Sequence, residues 1–344
     1  MKKSKFVSVK SAGTNGAEDK GIPKNILFKG VPGTGKSFTV DRIIAQIGIT
    51  ESIGELKQVL RINIHSGSSN GDFMQGIGVS TGEGGRIEYK EKRGLILDFL
   101  FLAITNPQLP FVLVLEEIQE NSLNQLIGDL IYLIEDSKRA DLADIELDPE
   151  AHYDLFDVTS EIMKIKIGVH TVSLPNLVEY RENPACLLFP ANMYVFCTSN
   201  YRDDKKVIED NLLRRFDVIE IYPNYEAIKD EAIKVFLSRL NDAVVVSMSS
   251  LETHPDRFMI GQANWINVRA DDEKLLARAF LKIIVEFKEI KELAFDQFRE
   301  IFRELQDDFS EEIKSLVKLV AEAKSYRALV AKVQERCSYP FLLG

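Results

Sequence analysis

The chain has 344 residues, of which 45% are hydrophobic and 28% are charged, and its formal net charge is −10. This length suffices for one large α/β domain and a smaller domain, each with its own hydrophobic core. The acidic balance excludes a surface that is basic throughout, as a nucleic-acid footprint would require, and leaves only local basic patches.

Three cysteines and four histidines are scattered along the chain, so we expect neither a disulfide framework nor a zinc cluster. The basic start MKKSKFVSVKSAG lacks a following apolar segment, which argues against a secretory signal. Apolar runs are too short for a membrane span, which needs about 18 residues. These features predict a cytoplasmic protein in a reducing compartment, without a membrane partner.

Strand and helix patterns alternate through the first two thirds of the chain. Strands are predicted over 25–30, 60–65, 111–117, 193–200 and 216–223, and helices over 36–47, 94–105, 122–136 and 207–216. Residues 66–85 are glycine-rich and predict a loop with one helical turn near Phe73, followed by a hairpin strand over 86–92. From Tyr225 onward amphipathic helices dominate. The alternation predicts a doubly wound, largely parallel sheet, whose ligand site lies at the carboxyl ends of its strands.

A phosphate-binding loop is predicted directly after the first of these strands. GVPGTGKS matches G-x-x-x-x-G-K-[ST], in which Lys36 reaches the β- and γ-phosphates and the Ser37 hydroxyl binds Mg²⁺. The following helix directs the positive end of its dipole at the same anion. The alternative is a glycine-rich turn without a ligand. The predicted nucleotide-binding residues are Gly30, Val31, Pro32, Gly33, Thr34, Gly35, Lys36, Ser37 and Phe38.

Polar side chains follow two other predicted strands. FVLVLEE ends in Glu116 and Glu117, and the two carboxylates suit a Mg²⁺ site and the orientation of an attacking water, respectively. Asn200 ends the apolar strand predicted over 193–200, and its amide can donate and accept hydrogen bonds at once, which suits a sensor of the γ-phosphate or the water. The alternatives are a solvated helix N-terminus for the glutamates and an ordinary turn residue for Asn200.

The stretch FVLVLEEIQENSLNQLIGDLIYLIE resembles a segment of the AAA+ motor of McrBC restriction systems, in which an apolar strand ends in Asp-Glu-Ile-Asn-Arg and leads into a helix ending in Leu-Leu-Glu. Similar matches are HSGSSNGDFMQGI at 65–77, NMYVFCTSNYRDD at 192–204, LLRRFDVIEIYP at 212–223 and MIGQANWIN at 259–267. Together they span about residues 25–295.

Several positions depart from this family pattern. Glu116 replaces the family's Asp, Gln119 and Glu120 replace Asn-Arg, and residues 262–264 replace His-Ser-Tyr. The segment 138–190 is longer than its family counterpart, and the domain that reads modified DNA in well-known members has no match. Methylcytosine recognition is therefore not carried over. We expect Glu116 to slow or retune turnover rather than abolish it, since it keeps the charge and adds one methylene.

The resemblance implies further site residues. Asp203 matches the acidic residue of the family signature, with an ordinary turn residue as the alternative. Arg214 and Arg215 lie where an AAA+ ring presents an arginine to the neighbouring subunit, and Arg215, next to Phe216, is the better candidate. The alternative is a cationic helix C-terminus favoured by the dipole. An arginine acting in trans implies an almost inactive monomer.

The resemblance therefore implies an α/β AAA+ P-loop NTPase core with a parallel sheet, followed by a small α-helical lid domain. The predicted boundaries are a mobile N-terminal arm over 1–22, the nucleotide-binding core over 23–223, a hairpin-containing insertion over 138–190, and the lid and C-terminal helices over 224–344.

The expected activity is Mg²⁺-dependent hydrolysis of ATP or GTP in a homo-oligomeric ring, a hexamer. The family further implies a separate nuclease or effector subunit, DNA contact only through that partner or the pore, and a role in prokaryotic restriction or anti-phage defence. Two alternatives stay open: a nucleotide-dependent assembly scaffold with little turnover, and a MoxR-like remodelling chaperone.

Overall fold

The computed structural model describes residues 7–9, 21–49, 52–53, 56–148, 154–178, 182, 185–200, 210–305 and 309–337. Asp203 and most of the predicted N-terminal arm lie outside these described residues. The strands of the described part are β1 (Val7–Val9), β2 (Asn25–Gly30), β3 (Ser52–Ile53), β4 (Leu56–Lys57), β5 (Val59–Asn63), β6 (Gln75–Thr81), β7 (Ile87–Arg93), β8 (Phe111–Glu116), β9 (Ile145–Leu147), β10 (Val172–Leu174), β11 (Ala185–Leu187), β12 (Met193–Asn200) and β13 (Asp217–Glu220).

The α-helices of the same part are α1 (Lys36–Ile47), α2 (Asn70–Phe73), α3 (Leu95–Thr105), α4 (Leu123–Ile127), α5 (Leu130–Leu133), α6 (Leu155–Ile165), α7 (Asp210–Leu213), α8 (Glu231–Met248), α9 (Glu273–Val285), α10 (Phe295–Arg303), α11 (Glu311–Glu322) and α12 (Tyr326–Cys337). A π-helix over Glu286–Ile290 continues α9, and 3₁₀ turns lie at Glu83–Gly85, Ile118–Glu120, Asp136–Lys138, Tyr225–Ala227, Pro255–Phe258 and Gln262–Asn264. No described helix is both long enough and apolar enough to cross a membrane.

A five-stranded sheet with the order β13-β2-β12-β8-β5 carries the predicted motifs. The pairs β12–β8 and β5–β8 are parallel, with Cys197 opposite Leu115 and Asn63 opposite Glu116. Residues 111–115 of β8 are buried, as expected for a central strand covered on both faces, and burial is lost only at Glu116. The α/β class with a parallel sheet, followed by a helical C-terminal region, is confirmed.

The glycine-rich segment after β5 differs from the prediction. The helical turn at Phe73 is present as α2, but residues 75–81 form a strand, β6, that pairs antiparallel with β7 instead of a loop. Gly76 and Gly78 alternate with Ile77 and Val79, so one face of the strand has almost no side chains. The sequence therefore lacks the alternation of polar and apolar residues by which a strand is recognised. A single helix over 122–136 is also wrong, because Gly128 adopts φ 54° and ψ −138° and separates α4 from α5.

The segment 138–190 contains the antiparallel pair β10–β11, a hairpin of the kind expected there, together with the unpredicted helix α6. It also contains β9, which pairs antiparallel with β1. Residues 7–9, which lie within the predicted N-terminal arm over 1–22, therefore form a short strand. Pairing with another strand satisfies the backbone N–H and C=O groups of β9, β10 and β11, although the sequence of this segment does not indicate which strands pair.

The described residues form two compact units, each with its own hydrophobic core. The first comprises the described residues of 1–28, 37–199 and 203–219, and the second those of 29–36, 200–202 and 220–344. Leu27, Leu113 and Phe189 are fully buried in the first core. Trp265 and Phe298 are central to the second, where helices replace strands.

A buried arginine ties together the amino-terminal ends of strands in the first unit. The Arg139 side chain is 2% exposed, and its guanidinium donates to the carbonyls of Ile134 and Met193 and to Oδ1 of Asn25. Burial lowers the pKa of Arg139 to about 10, so the group stays charged at neutral pH. Its planar fork of donors is what allows one side chain to satisfy acceptors on three segments.

Candidate active site

In the second unit, the phosphate loop is held in its bent form by glycines and by the buried amine of Lys36. Gly33 and Gly35 have φ values of 77° and 90°, which favour glycine over residues with a Cβ. Lys36 is 8% exposed, and its Nζ donates to the carbonyls of Gly30 at 3.0 Å and Val31 at 3.2 Å. The predicted loop thus has the strand–turn–helix setting that phosphate binding requires.

The same amine contacts the predicted sensor. Nζ of Lys36 donates to Oδ1 of Asn200 at 2.6 Å, and Asn200 is the last residue of β12. With its oxygen turned to the lysine, Asn200 can use its amide nitrogen as a donor toward a phosphate oxygen or a water. The structure therefore brings together two residues that are 164 positions apart in the chain and were predicted to act on the same phosphate.

Residues of the helical C-terminal region also contact the phosphate loop. Nε2 of Gln262 donates to the carbonyl of Thr34 at 3.0 Å, and the N–H of Ala263 donates to the carbonyl of Gly33 at 3.0 Å. A Cβ added to Gly261 would lie 2.2 Å from the carbonyl oxygen of Pro32, so only glycine fits there. This segment is one of the family matches, and the two hydrogen bonds fix carbonyls of the loop.

In the first unit, Ser37 and Glu116 form the oxygen pair predicted to bind the metal. The Ser37 hydroxyl donates to Oε1 of Glu116 at 3.1 Å. A hydroxyl and a carboxylate are hard oxygen donors, and Mg²⁺ is commonly held by one or two protein groups together with substrate phosphates. Within the described residues no group of three or more His, Cys, Asp or Glu side chains could hold a metal. The Ser37–Glu116 pair fits a Mg²⁺ ion that protein oxygens and substrate phosphates hold together.

Two further charged residues join this pair, and the sequence prediction missed both. Nη1 of Arg61 donates to Oε1 of Glu116 at 2.9 Å, and Nη2 donates to Oδ1 of Asp41. Arg61 is a charged residue between apolar ones in β5, and Asp41 lies one helical turn after Ser37. The sequence shows these two positions, but only the pairing of β5 with β8 shows that Arg61 lies close to Glu116.

Glu117, the predicted residue for orienting water, has a left-handed backbone with φ 57° and ψ 44°. Its N–H donates to Oγ1 of Thr198 at 3.3 Å, and its carboxylate accepts from Nε2 of Gln119, a side chain that is 3% exposed. Non-glycine residues adopt this conformation at a cost, and such residues cluster at functional sites. Gln119 replaces the family's Asn, and its amide contacts the Glu117 carboxylate directly.

The two candidate arginines differ sharply. The Arg215 side chain is 7% exposed, and its Nε lies 3.1 Å from Oε1 of Glu135 in the same chain. Arg214 is exposed. The two side chains therefore differ in exposure, and which of them acts in a neighbouring subunit stays a prediction.

Two other predicted residues are placed as follows. Phe38 lies on α1 directly after the phosphate loop, and 67% of its surface is exposed. Asp203 lies outside the described residues, so its predicted contact with nucleotide stays a prediction.

The segment after β5 contains a local carboxylate cap. The hydroxyl of Ser69 donates to Oδ2 of Asp72 at 2.6 Å, and its N–H donates to the same oxygen at 3.0 Å. These bonds favour the charged carboxylate and lower the pKa of Asp72. Asn70 and Asn121 connect the segment to the region after β8 by side-chain bonds to the carbonyls of Leu126 and Ser68. The bonds of Asn70 and Asn121 thus hold this segment next to the residues that follow Glu117.

A family model described as an AAA domain of the dynein-related subfamily matches residues 25–216, which is more than half of the chain. The chain is also 25% identical over 207 residues to the EcoKMcrB subunit of a type IV methyl-directed restriction enzyme of Escherichia coli K12. That match covers 60% of this chain and 37% of the Escherichia coli protein, so the chain spans well under two thirds of that relative.

Among solved structures, a DNA polymerase III gamma subunit-related protein of Thermotoga maritima is similar over 91% of this chain and 94% of its own, with 11% identity and a TM-score of 0.30. A TM-score this low carries no weight beside the family match. AAA domains of this kind are nucleoside triphosphatases of the AAA+ class. Because this family model matches more than half of the chain, from β2 to Phe216, the chain belongs to the dynein-related subfamily of AAA domains.

Proposed function

We propose that this protein is a Mg²⁺-dependent motor that hydrolyses ATP or GTP in a homo-oligomeric ring, a hexamer. One observation carries the proposal: two consecutive loop residues each contact the residue predicted to act with them. Lys36 contacts Asn200, and Ser37 contacts Glu116. Such contacts are expected of a site built for phosphate and metal, and they would be a coincidence in a glycine-rich turn without a ligand.

Each residue has a distinct task in this reaction. Lys36 and the N–H groups of the loop bind the phosphates, and Ser37 and Glu116 would hold Mg²⁺, which when bound offsets charge on the β- and γ-phosphates. Glu117 orients and polarises the attacking water, with Gln119 fixing its carboxylate. Asn200 donates to the γ-phosphate or to that water.

The ring supplies the remaining group. An arginine from the neighbouring subunit stabilises charge on the transferred phosphoryl group, and exposed Arg214 suits this role better than Arg215. In this proposal residues 23–223 form the nucleotide-binding core, with the insertion over 138–190, and residues 224–344 form the lid and C-terminal helices. Asp203 belongs to the nucleotide-binding residues.

The partner is inferred from likeness to a subunit of a methyl-directed restriction enzyme. A separate nuclease-type or effector subunit would convert the motor's work into restriction or anti-phage defence in the prokaryotic cytoplasm. DNA would be contacted only through that partner or the pore, since the chain's net charge of −10 does not favour a broad DNA footprint.

Steady-state phosphate release with ATP and with GTP tests the motor. The wild-type protein is compared with Glu117→Gln and Lys36→Ala at concentrations where light scattering shows assembled rings. We expect turnover with at least one nucleotide, a loss of two orders of magnitude or more in Glu117→Gln with binding retained, and loss of binding in Lys36→Ala. Equal, negligible turnover of wild type and Glu117→Gln in assembled rings would contradict a motor.

That negative result would favour the second candidate, a scaffold that binds nucleotide and assembles with little turnover. The observation favouring it is that the carboxylate expected to hold the metal already contacts an arginine, Arg61. Co-purification from the native host separates the partners. A nuclease supports the restriction motor, whereas an unrelated client protein supports a MoxR-like chaperone.

A further inference from the structure

We propose that Arg61 is a positioning residue for the metal-binding carboxylate, which holds Glu116 against Ser37 and sets the Mg²⁺ concentration that nucleotide binding requires. The inference deepens the proposed function and rests on it. It assigns a task to a charged residue that neither the phosphate-loop motif nor the carboxylate pair includes.

The strand register explains how Arg61 reaches Glu116. Arg61 is opposite Val114, and Asn63 is opposite Glu116, in the parallel pair of β5 and β8. Side chains two residues apart lie on the same face of a strand, so Arg61 and Glu116 share a face with an offset of about 7 Å along the strand. An extended arginine spans this offset, and its Nη1 lies 2.9 Å from Oε1 of Glu116.

The helix side of the network follows from helical periodicity. Ser37 and Asp41 are four residues apart in α1 and therefore lie on the same helix face. Ser37 contacts Glu116, and Asp41 contacts the second terminal nitrogen of Arg61. One guanidinium thus connects two carboxylates, and its rigid fork of donors permits this where the single ammonium of lysine would not.

The longer side chain of Glu116 makes sense within this network. Oε1 accepts from both Ser37 and Arg61, and a shorter Asp at this position would withdraw the carboxylate by about one bond length. Arg61 therefore compensates for the extra methylene, because it fixes a side chain that has one more rotatable bond than Asp. Glu at position 116, in place of the family's Asp, and Arg61 are therefore structurally coupled.

The positive charge of Arg61 has a second consequence. It offsets part of the negative charge that would attract a divalent cation to Glu116 and Asp41. The side chains of Arg61 and Glu116 are 32% and 21% exposed, so water screens the pair in part. We expect Arg61→Ala to lower the Mg²⁺ concentration for half-maximal nucleotide binding by about threefold to fivefold, the scale of a partly exposed ion pair.

Removal of Arg61 should slow turnover at the same time, because the carboxylate loses its position. Tighter Mg²⁺ binding together with a lower kcat would indicate a positioning role. General damage to the fold would instead weaken Mg²⁺ binding and lower kcat together. Arg61→Lys should keep the Mg²⁺ dependence close to wild type, since it keeps the charge, but should recover kcat only in part. Arg61→Gln should resemble Arg61→Ala in its Mg²⁺ dependence.

Arg93 offers a matched control. It ends β7, its side chain is 36% exposed, and it also contacts two carboxylates, Asp98 at 3.1 Å and Asp154 at 3.3 Å. Arg93→Ala removes a comparable ion-pair network at a distance from the phosphate-loop residues in sequence. We expect it to lower thermal stability without changing the Mg²⁺ dependence.

The decisive experiment is a Mg²⁺ titration of equilibrium binding of a fluorescent ATP or GTP analogue. It is carried out for the full chain, for the Arg61 and Arg93 variants, for Glu116→Gln, and for Arg61→Ala combined with Glu116→Gln, with thermal unfolding of each. We expect the shift caused by Arg61→Ala to shrink to less than half in the Glu116→Gln background, since the neutral amide leaves Arg61 no negative charge to offset at this position.

An unchanged Mg²⁺ midpoint in Arg61→Ala, or the same shift in both backgrounds, would overturn the inference. Because binding is the readout, a protein that binds nucleotide but never hydrolyses it refutes the proposed motor and still decides the role of Arg61. A wild-type chain that binds no nucleotide at all overturns both.

Discussion

The amine of Lys36 donates a 2.6 Å hydrogen bond to the side-chain oxygen of Asn200, and it also donates to the carbonyls of Gly30 and Val31. Three protein oxygens thus accept from the cation that is proposed to bind phosphate. A phosphate oxygen must replace or share at least one of these bonds. The amide oxygen of Asn200 is the easiest of the three to displace, because it belongs to a side chain that can rotate, whereas the carbonyls of Gly30 and Val31 are fixed in the backbone of the loop.

Substitution at Asn200 should therefore separate binding from turnover. In Asn200→Asp the new carboxylate pairs with Lys36 and competes with phosphate, so we expect nucleotide affinity to fall by about tenfold or more. In Asn200→Ala affinity should change little, whereas turnover should fall on the order of 100-fold, as for the loss of one stabilising donor. Equilibrium binding and phosphate release measure the two effects.

The exposed pair of Lys229 and Asn267, at 2.8 Å, provides the control for Asn200. Asn267→Asp creates the same lysine–carboxylate contact in the helical C-terminal region, and nucleotide affinity should stay unchanged. Wild-type affinity in Asn200→Asp would show that Lys36 does not depend on this contact.

The left-handed backbone of Glu117 predicts a conflict between stability and activity. Glycine adopts φ near 57° without strain, whereas alanine does not. The free energy of unfolding of Glu117→Gly should therefore exceed that of Glu117→Ala by about 1 kcal/mol, and its unfolding temperature should be higher. Both variants should lose turnover because both lack the carboxylate. Thermal unfolding and phosphate release test the pair. Equal or lower stability of the glycine variant would mean that the local backbone relaxes.

The sequence was sufficient for those features that depend on neighbouring residues. The buried runs that became β2, β8 and β12 have nearly the predicted bounds, and their polar ends place Glu116 and Asn200 at strand termini. The phosphate loop was recognisable because its spacing is itself the requirement for wrapping a phosphate.

The missed features depend on pairing between distant segments. Arg61 is a single charge within an apolar strand, and its contact with Glu116 follows only from the β5–β8 register. The ion pair of Arg215 with Glu135 likewise connects residues 80 positions apart in the chain, and no local sequence pattern indicates it. Glycines concealed β6 and, at Gly128, ended a helix that periodicity alone would have continued.

Gln262 should connect the C-terminal region to nucleotide binding. Its side chain is 5% exposed, and it donates to the Thr34 carbonyl at 3.0 Å while accepting from the N–H of Asn224 at 3.2 Å. Gln262→Ala leaves both partners without this bond, at a cost of about 1–3 kcal/mol. We expect weaker nucleotide binding as well as lower stability, because the carbonyl belongs to the phosphate loop.

Gln75 is the matched control, since it is 8% exposed and donates to the carbonyl of Pro175 at 2.6 Å. Gln75→Ala should lower the unfolding temperature by a similar amount without a change in nucleotide affinity. If the two variants lose affinity equally, the effect of Gln262 is a general consequence of instability.

The two arginines before β13 should have opposite effects. Arg215→Ala breaks a largely buried ion pair with Glu135, which is 30% exposed, so we expect a loss of about 2–3 kcal/mol in stability, below the full cost for a completely buried pair. Arg214→Ala should leave stability unchanged and lower turnover of the assembled ring by roughly 1,000-fold. Thermal unfolding and phosphate release distinguish the two outcomes.

A mixing experiment tests whether Arg214 acts across the subunit interface. Rings of Arg214→Ala alone and of Glu117→Gln alone should both be inactive, each lacking one half of every site. In a ring assembled from equal amounts, about a quarter of the interfaces combine an intact Glu117 with an intact Arg214 from the neighbour, so about a quarter of wild-type turnover should return. No recovery in mixed rings would place Arg214 outside the reaction, whereas recovery with Arg215→Ala in its place would restore Arg215 as the arginine that acts in trans.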